Sequence, residues 1–190
     1  MLASASPQRR RLLEQLGIAF RVSPAGVAEL DRGEPASVAR ENARRKAQAV
    51  PGELVLGVDT LVAVDELLLG KPADADEARR SLRRLSGRWH EVVSGLAVVR
   101  ADAAAVVAHE TTRVLFRDVS PALEDWYVAG GEWRGRAGGY AVQERGAALV
   151  RRVEGDYTNV VGLPVGLLLE LVPELLPGPG EGPHLQPFRA

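Results

Sequence analysis

Residues 54–64 read LVLGVDTLVAV, a mostly aliphatic run rich in β-branched residues with a single carboxylate, Asp59, near its middle. This composition and length fit a buried strand. A turn near Val64–Glu66 and a short returning strand through LLLGKP follow, and their pairing would bring Lys71 round to face Asp59 near one end. A carboxylate inside such a strand is costly to bury unless it is paired or put to use. Asp59 could orient a water or hold a divalent metal. The structural alternative is that it caps the turn or pairs with a neighbouring lysine.

The remainder of the chain alternates helical and extended patterns. Ser6 before Pro7 reads as a capped helix start, with Leu12, Leu13 and Leu16 at core spacing and a stop near Gly17. IAFRVSP reads as a strand and AGVAELDRGEP as an acidic loop. A second helix is expected over Ala36–Ala49 and a third over DADEARRSLRRLSGR. HEVVSGLAVVRADAAAVVAHETTRVLFRDVS suggests three strands separated by short turns. Pro121–Ala129 predicts a helix, with Glu124 and Asp125 in a first turn where acidic charge suits the dipole. GRAGGYAVQERGAALVRRVEGDYTNVVGLP suggests glycine turns between short strands, and VGLLLELVPELL a closing helix. The fold class expected is α/β: one domain over 1–176 with a mixed β-sheet flanked by helices. Residues 177–190, rich in proline and glycine, are expected to form a flexible tail.

Charge and composition narrow the function classes. With 24 basic and 25 acidic residues the net charge is −1, so no global field favours nucleic acid or an anionic membrane, and neither is expected as a partner. No run of about 18 apolar residues and no cleavable leader pattern is seen, so a cytoplasmic protein is expected. Without cysteine there are no thiolate metal sites, and the three histidines lack ligand spacing. Neither a glycine-rich Walker pattern nor a nucleophile elbow occurs. Of the basic residues only Lys46 and Lys71 are lysines. In so arginine-biased a chain, a compact ammonium retained at two positions marks both as candidates for a specific role; chance survival on the surface is the alternative.

The stretch SASPQRRRLL could bind an anion, since free amides at a helix start, the hydroxyls of Ser4 and Ser6 and nearby arginines suit phosphate oxygens. Arg9 is the stronger candidate, Arg10 the weaker, and Arg11 is expected to face solvent. Glu29, in the acidic loop, could supply a further oxygen ligand beside Asp59. Arg79, Arg80, Arg83 and Arg84 span a broad helix face and are most simply solvated.

Taken in order, LASASPQRR, GVDTLV, LLGKP, LRRLSGRWHEVVSGLAVV, AGGYAVQ and EGDYTNVVGLP make the chain from Leu2 to about Val172 resemble the Maf family of nucleoside triphosphate pyrophosphatases. The resemblance implies an elongated α/β fold with a long curved mixed sheet, as in the related inosine triphosphatases. It also implies cleavage of a nucleoside triphosphate between its α- and β-phosphates. By position, Asp59 corresponds to the general base that activates water. Ser4, Arg9, Arg10 and Lys46 correspond to phosphate contacts, Lys71 lies close to the reacting phosphate, and Glu29 with Asp59 holds Mg²⁺ or Mn²⁺. The carbonyls of AGG and the Gln143 amide fall nearer the base. Specificity contacts map to Gln8, Thr60 and Gln143. The threonine and Gln143 match the branch acting on dTTP and UTP rather than the one acting on 7-methyl-GTP, in which a glutamate suits a cationic purine. Gln8 departs from both branches, because the first usually has arginine there. Ala28 replaces one member of a frequent acidic pair. A homodimer is expected from the family. The competing reading is a non-catalytic RNA-binding or cell-division regulatory protein.

Overall fold

Antiparallel pairing dominates the computed structural model, which describes residues 1–176; the expected tail at 177–190 lies outside the described residues. Five strands, β1 (Leu54–Val64), β2 (Leu67–Leu69), β3 (Trp89–Arg100), β4 (Val106–Phe116) and β5 (Val150–Glu154), form one sheet in the order β2-β1-β3-β4-β5. Its helices are α1 (Pro7–Gln15), α2 (Pro35–Gln48), α3 (Ala75–Leu85), α4 (Pro121–Ala129), α5 (Tyr157–Val161) and α6 (Val165–Leu171). No described helix is long and apolar enough to cross a membrane.

Several sequence expectations change here. The mixed sheet is antiparallel throughout its ladders, and parallel pairing is confined to isolated bridges from Leu2 to Val22 and Leu56. IAFRVSP therefore contributes one bridge rather than a strand. The three strands expected between 90 and 120 are two long ones, β3 and β4, paired antiparallel. Between 135 and 164 only β5 is extended; 137–139 and 144–148 are 3₁₀ turns and 157–161 is helical. The closing helix stops at Leu171, and Pro173–Leu175 form a separate 3₁₀ turn.

Local chemistry accounts for the helix starts. Pro35 and Pro121 occupy first-turn positions, where no amide is needed, and the side chains of Glu34, Asp74 and Ser120 accept hydrogen bonds from free first-turn amides. The tight β1–β2 turn places Asp65 and Glu66 at φ +48° and +63°, matching the primed turns that suit hairpin twist.

The even-numbered side chains of β1 share one face of the sheet and serve two clusters along its length. Leu56 and Val58 join α1 and α6 in one apolar cluster, while Val62 and Val64 join α3 and α4 in another containing Phe116, Tyr127 and Tyr140. The opposite face receives α2, and there the sequence is small: Gly57 lies under Ala43 and Ala47, and Gly95 under Ala39. A Cβ on Gly95 would sit 2.0 Å from the Ala39 carbonyl oxygen, and one on Gly57 2.1 Å from that of Ala43. The absence of side chains at these two positions lets the helix backbone rest directly on the sheet. Asp59 shares this face, directly opposite Gly95 in the register.

β1 pairs with β3 from Leu54 to Ala63, but on its other edge β2 covers only Val62–Val64 and the chain start reaches only Leu54 and Leu56. Among the described strands, none covers that edge from Gly57 to Leu61. This gap admits side chains from both faces of the sheet.

Candidate active site

A cavity of about 460 Å³ occupies the gap, a size suited to a small metabolite. Its walls bring together Ser4, Gln8, Arg9, Glu29, Lys46, Asp59, Thr60, Lys71 and Gln143, which arise from six separate parts of the chain.

Asp59 is only 3 % exposed and both its oxygens are engaged from α2. Lys46 Nζ lies 2.6 Å from Asp59 Oδ1, and Asn42 Nδ2 donates to Oδ2 at 2.9 Å. Asn42 and Lys46 are four residues apart and so share one helix face. Each carboxylate oxygen retains a further lone pair for a water. The same lysine lies 2.6 Å from Glu29 Oε1, so one ammonium holds two carboxylates from different segments.

Asn42 is a site residue that the sequence reading missed. Its Nδ2 also donates to the Leu30 carbonyl at 3.0 Å, and its Oδ1 accepts from the Leu30 amide at 2.7 Å. The acidic loop is thereby pinned beside Glu29 and tied to Asp59 through one side chain. A signal was present: Val38, Ala39, Asn42, Ala43, Lys46 and Ala47 form the buried stripe of α2, and an amide within it needs partners.

On the other side of the gap Arg9, 8 % exposed, is held rigidly. Its Nε donates to the Gly162 carbonyl at 2.8 Å, Nη1 to Ser4 Oγ at 2.8 Å and Nη2 to Thr60 Oγ1 at 3.0 Å. Two of its five N–H groups stay available for a ligand. Burial pushes the guanidinium below its ordinary pKa, opposed by the charges of Asp59 and Glu29. The Gly162 carbonyl is itself positioned by α5, which Asn159 fastens to β3 and β4 through Val92 and Thr112. This explains why EGDYTNVVGLP belongs to the site although Asp59 lies a hundred residues earlier.

Ser4 Oγ accepts from both Arg9 and the Ser6 amide, leaving its own proton free to donate into the cavity. Ser6 does not cap α1 as expected; its hydroxyl donates to Gln8 Oε1 at 3.1 Å. Thr60 Oγ1 contacts Arg9, Ser94 and the Gly162 carbonyl, so its hydroxyl is spent on holding Arg9. Gln8 and Gln143 line this cavity and also a neighbouring one that contains Leu12 and Tyr157. Lys71 borders the cavity with no ion pair among the described residues.

Other expectations are corrected. Arg10 lies outside the cavity and turns along α1 to Glu14 at 3.8 Å, since successive helical residues point about 100° apart. Arg11 is exposed, as expected, near Glu144 at 3.8 Å. In the AGG turn only Ala137 lines the cavity, because Gly138 and Gly139 press against Val62 and Pro72. Arg79 and Arg83 are not free surface charge: both clasp the buried Glu124 carboxylate and tie α3 to α4. The face suggested for RNA is partly neutralised in this way.

A metal would find two carboxylates here. Glu29 and Asp59 already converge on one cation position, held by Lys46 Nζ at 2.6 Å from each. No group of three or more acidic or histidine side chains gathers among the described residues. A donor set of one or two carboxylates, completed by substrate phosphates and water, fits Mg²⁺ or Mn²⁺.

Comparison with known proteins follows this geometry. A family model described as Maf-like protein matches residues 1–175. The dTTP/UTP pyrophosphatase of Pelotomaculum thermopropionicum is 48 % identical over 179 residues, covering 90 % of this chain and 94 % of its own. That of Symbiobacterium thermophilum is 47 % identical over 178 residues, covering 90 % and 91 %. Among solved structures, a HAM1 protein from Coxiella burnetii aligns with 60 % of this chain and 71 % of its own, at 18 % identity and a TM-score of 0.41.

Proposed function

Since the chain belongs to the Maf family, we propose that it hydrolyses dTTP and UTP in the cytoplasmic nucleotide pool, releasing the nucleoside monophosphate and pyrophosphate. The observation that carries the reading is the cavity itself. One buried carboxylate with spare lone pairs faces a partly dehydrated space bordered by Arg9, Lys46 and Lys71.

In this reading Asp59 accepts a proton from a water aimed at the α-phosphorus. Asn42 holds the carboxylate in orientation through Oδ2 while the proton passes to the other oxygen. As the α–β bridging bond breaks, charge accumulates on the departing pyrophosphate, where preoriented cations are most effective. Lys71, free of internal partners among the described residues, and the two unspent donors of Arg9 offset that charge. Ser4 donates its remaining proton to a phosphate oxygen. Glu29 and Asp59 would hold Mg²⁺ or Mn²⁺, which would supply charge neutralisation for the phosphates. Lys46 lies between these carboxylates, and its flexible stem would let its ammonium reach a phosphate. Gln8 and Gln143 border the base. A neutral carboxamide both donates and accepts, as a pyrimidine edge requires; this favours pyrimidines over 7-methyl-GTP.

The test is product analysis on a panel of nucleoside triphosphates, including 7-methyl-GTP, with Mg²⁺ and with Mn²⁺. Monophosphate and pyrophosphate from dTTP and UTP are expected, and Asp59→Asn is expected to abolish turnover while keeping the melting profile of a folded protein. Orthophosphate as the sole phosphate product, or an Asp59→Asn variant that retains activity, overturns the proposal.

A further inference from the structure

Arg136 is a further, half-buried cation of the cavity, and neither the sequence motifs nor the contacts described above account for it. It lines the same space as Asp59 and Lys71, within the segment Gly135–Gly139. Several other arginines find a carboxylate: Arg44 and Arg45 use Glu41, Arg79 and Arg83 use Glu124, and Arg88 uses Asp65. Arg136 makes no such pair among the described residues, and its Nε is buried without a hydrogen-bond partner. The contrast with Arg9 is instructive, because there the Nε donates to the Gly162 carbonyl. A buried N–H without a partner loses its water and gains nothing in exchange, which native proteins avoid unless a ligand completes the site.

Its position is built, not accidental. The Arg136 amide donates to the Trp133 carbonyl at 3.2 Å, and its own carbonyl accepts from the Gly139 amide at 3.0 Å. The Gly138 amide donates to the Gly70 carbonyl at 3.0 Å, which joins this segment to the residue preceding Lys71. Gly138 has φ +67° and presses so closely on Val62 that a Cβ would meet it at 2.9 Å. The backbone on either side of Arg136 is therefore locked against β1 and against the Lys71 loop, which fixes Arg136 in the cavity wall. Burial lowers its pKa, as for Arg9, with Tyr127, Glu132 and Glu144 opposing the shift from a distance.

We infer that Arg136 is a phosphate-binding residue of this site, its guanidinium completed by a phosphate group of the bound nucleotide. The inference rests on the nucleotide-hydrolysis reading above for the identity of the ligand. The chemistry required is an oxyanion with two adjacent acceptors, which suits the planar fork. Either the α-phosphate or the departing pyrophosphate meets it.

The experiment measures binding of the two products separately, so that no turnover is needed. Inorganic pyrophosphate, UMP and uridine are titrated by calorimetry into the wild-type protein and into Arg136→Gln, with melting curves recorded for both. Loss of one charge-assisted contact should weaken pyrophosphate or UMP about ten- to a hundredfold and leave uridine unchanged. Loss confined to pyrophosphate places Arg136 at the leaving group, and loss confined to UMP places it at the α-phosphate; either supports the inference. Unchanged affinity for both phosphate ligands overturns it, as does an equal loss for uridine, which would mark a general collapse of the cavity. Should Arg136→Gln melt early, phenylglyoxal modification of wild-type protein replaces it. Arg136 should be protected by saturating pyrophosphate or UMP in peptide mass analysis, and modification unaffected by both ligands overturns the proposal. A wild-type protein that binds pyrophosphate through Arg136 but hydrolyses no triphosphate would refute the proposed function and leave this inference standing.

Discussion

Gly95→Ala is the most exacting perturbation, because it adds one methyl group where the sheet meets a helix backbone. The new Cβ would lie 2.0 Å from the Ala39 carbonyl oxygen and 2.2 Å from its carbon. Backbone atoms cannot rotate aside, so α2 must lift by about 1 Å to reach a tolerable contact of 3.0 Å. Asn42 and Lys46 ride on that helix, donating to Asp59 at 2.9 and 2.6 Å. Lys46 can follow on its long stem, but the short Asn42 side chain cannot, and its bond to Asp59 is lost. Overpacking of this kind costs about 1–3 kcal/mol, and a displacement near 1 Å in a catalytic constellation costs about 10²-fold in rate. Urea unfolding reads the first and pyrophosphate release from dTTP or UTP the second. Gly166→Ala serves as the control, since its Cβ would meet nothing within 4 Å and it lies inside α6. That change should leave activity intact and raise stability by about 0.5–1 kcal/mol. If Gly95→Ala unfolds and turns over like the wild type, α2 does not rest on the sheet as described and the placement of Asp59's partners is wrong.

Two further perturbations examine other parts of the design. Asn42→Ala strips a donor from the buried Asp59 and both partners from Leu30, so stability should fall by about 1–3 kcal/mol. With Glu29's loop loosened, Mn²⁺ binding followed by electron paramagnetic resonance should weaken; unaltered metal affinity would count against the tie between loop and base. His90, whose Nε2 pairs with the Tyr140 hydroxyl at 2.8 Å, is pushed by burial to about pH 4 from an ordinary 6.5. The unfolded chain therefore binds a proton that the folded one refuses between these values. Stability should decline as pH falls from 6.5 to 4, by about 3 kcal/mol in all. Urea titrations of the wild type and His90→Phe across that window should show the decline in the first and its loss in the second; parallel slopes would refute the assignment.

The helices with proline starts and the Leu54–Leu69 hairpin were legible in sequence because their signals are local: caps, turn residues and side-chain period. Asp59 was legible for a related reason, since a lone carboxylate in an aliphatic strand contradicts its surroundings. Lys46 and Lys71 stood out against an arginine background. The role of Gly95 was not legible, because a glycine's lack of a side chain matters here only through the helix that lies against it. The parallel partner expected for the sheet was likewise a question of which distant segment reaches Leu2.

What sequence determined by itself was therefore the chemistry on offer: an isolated base, two ammonium groups, an acidic loop and an arginine-bearing helix start, ordered as in one family. Tertiary structure decided which of these meet. The uncovered edge of β1 between the Leu2 bridge and β2 opens the cavity to both sheet faces. The glycine floor beneath α2 brings Asn42 and Lys46 onto Asp59. Helical phase admits Arg9 and turns Arg10 away, and the lock between Gly138 and Gly70 ties the Arg136 segment to the Lys71 loop. Each of these depends on contacts between residues far apart in the chain, where sterics and hydrogen-bond satisfaction act on the folded whole and local pattern carries no trace of them.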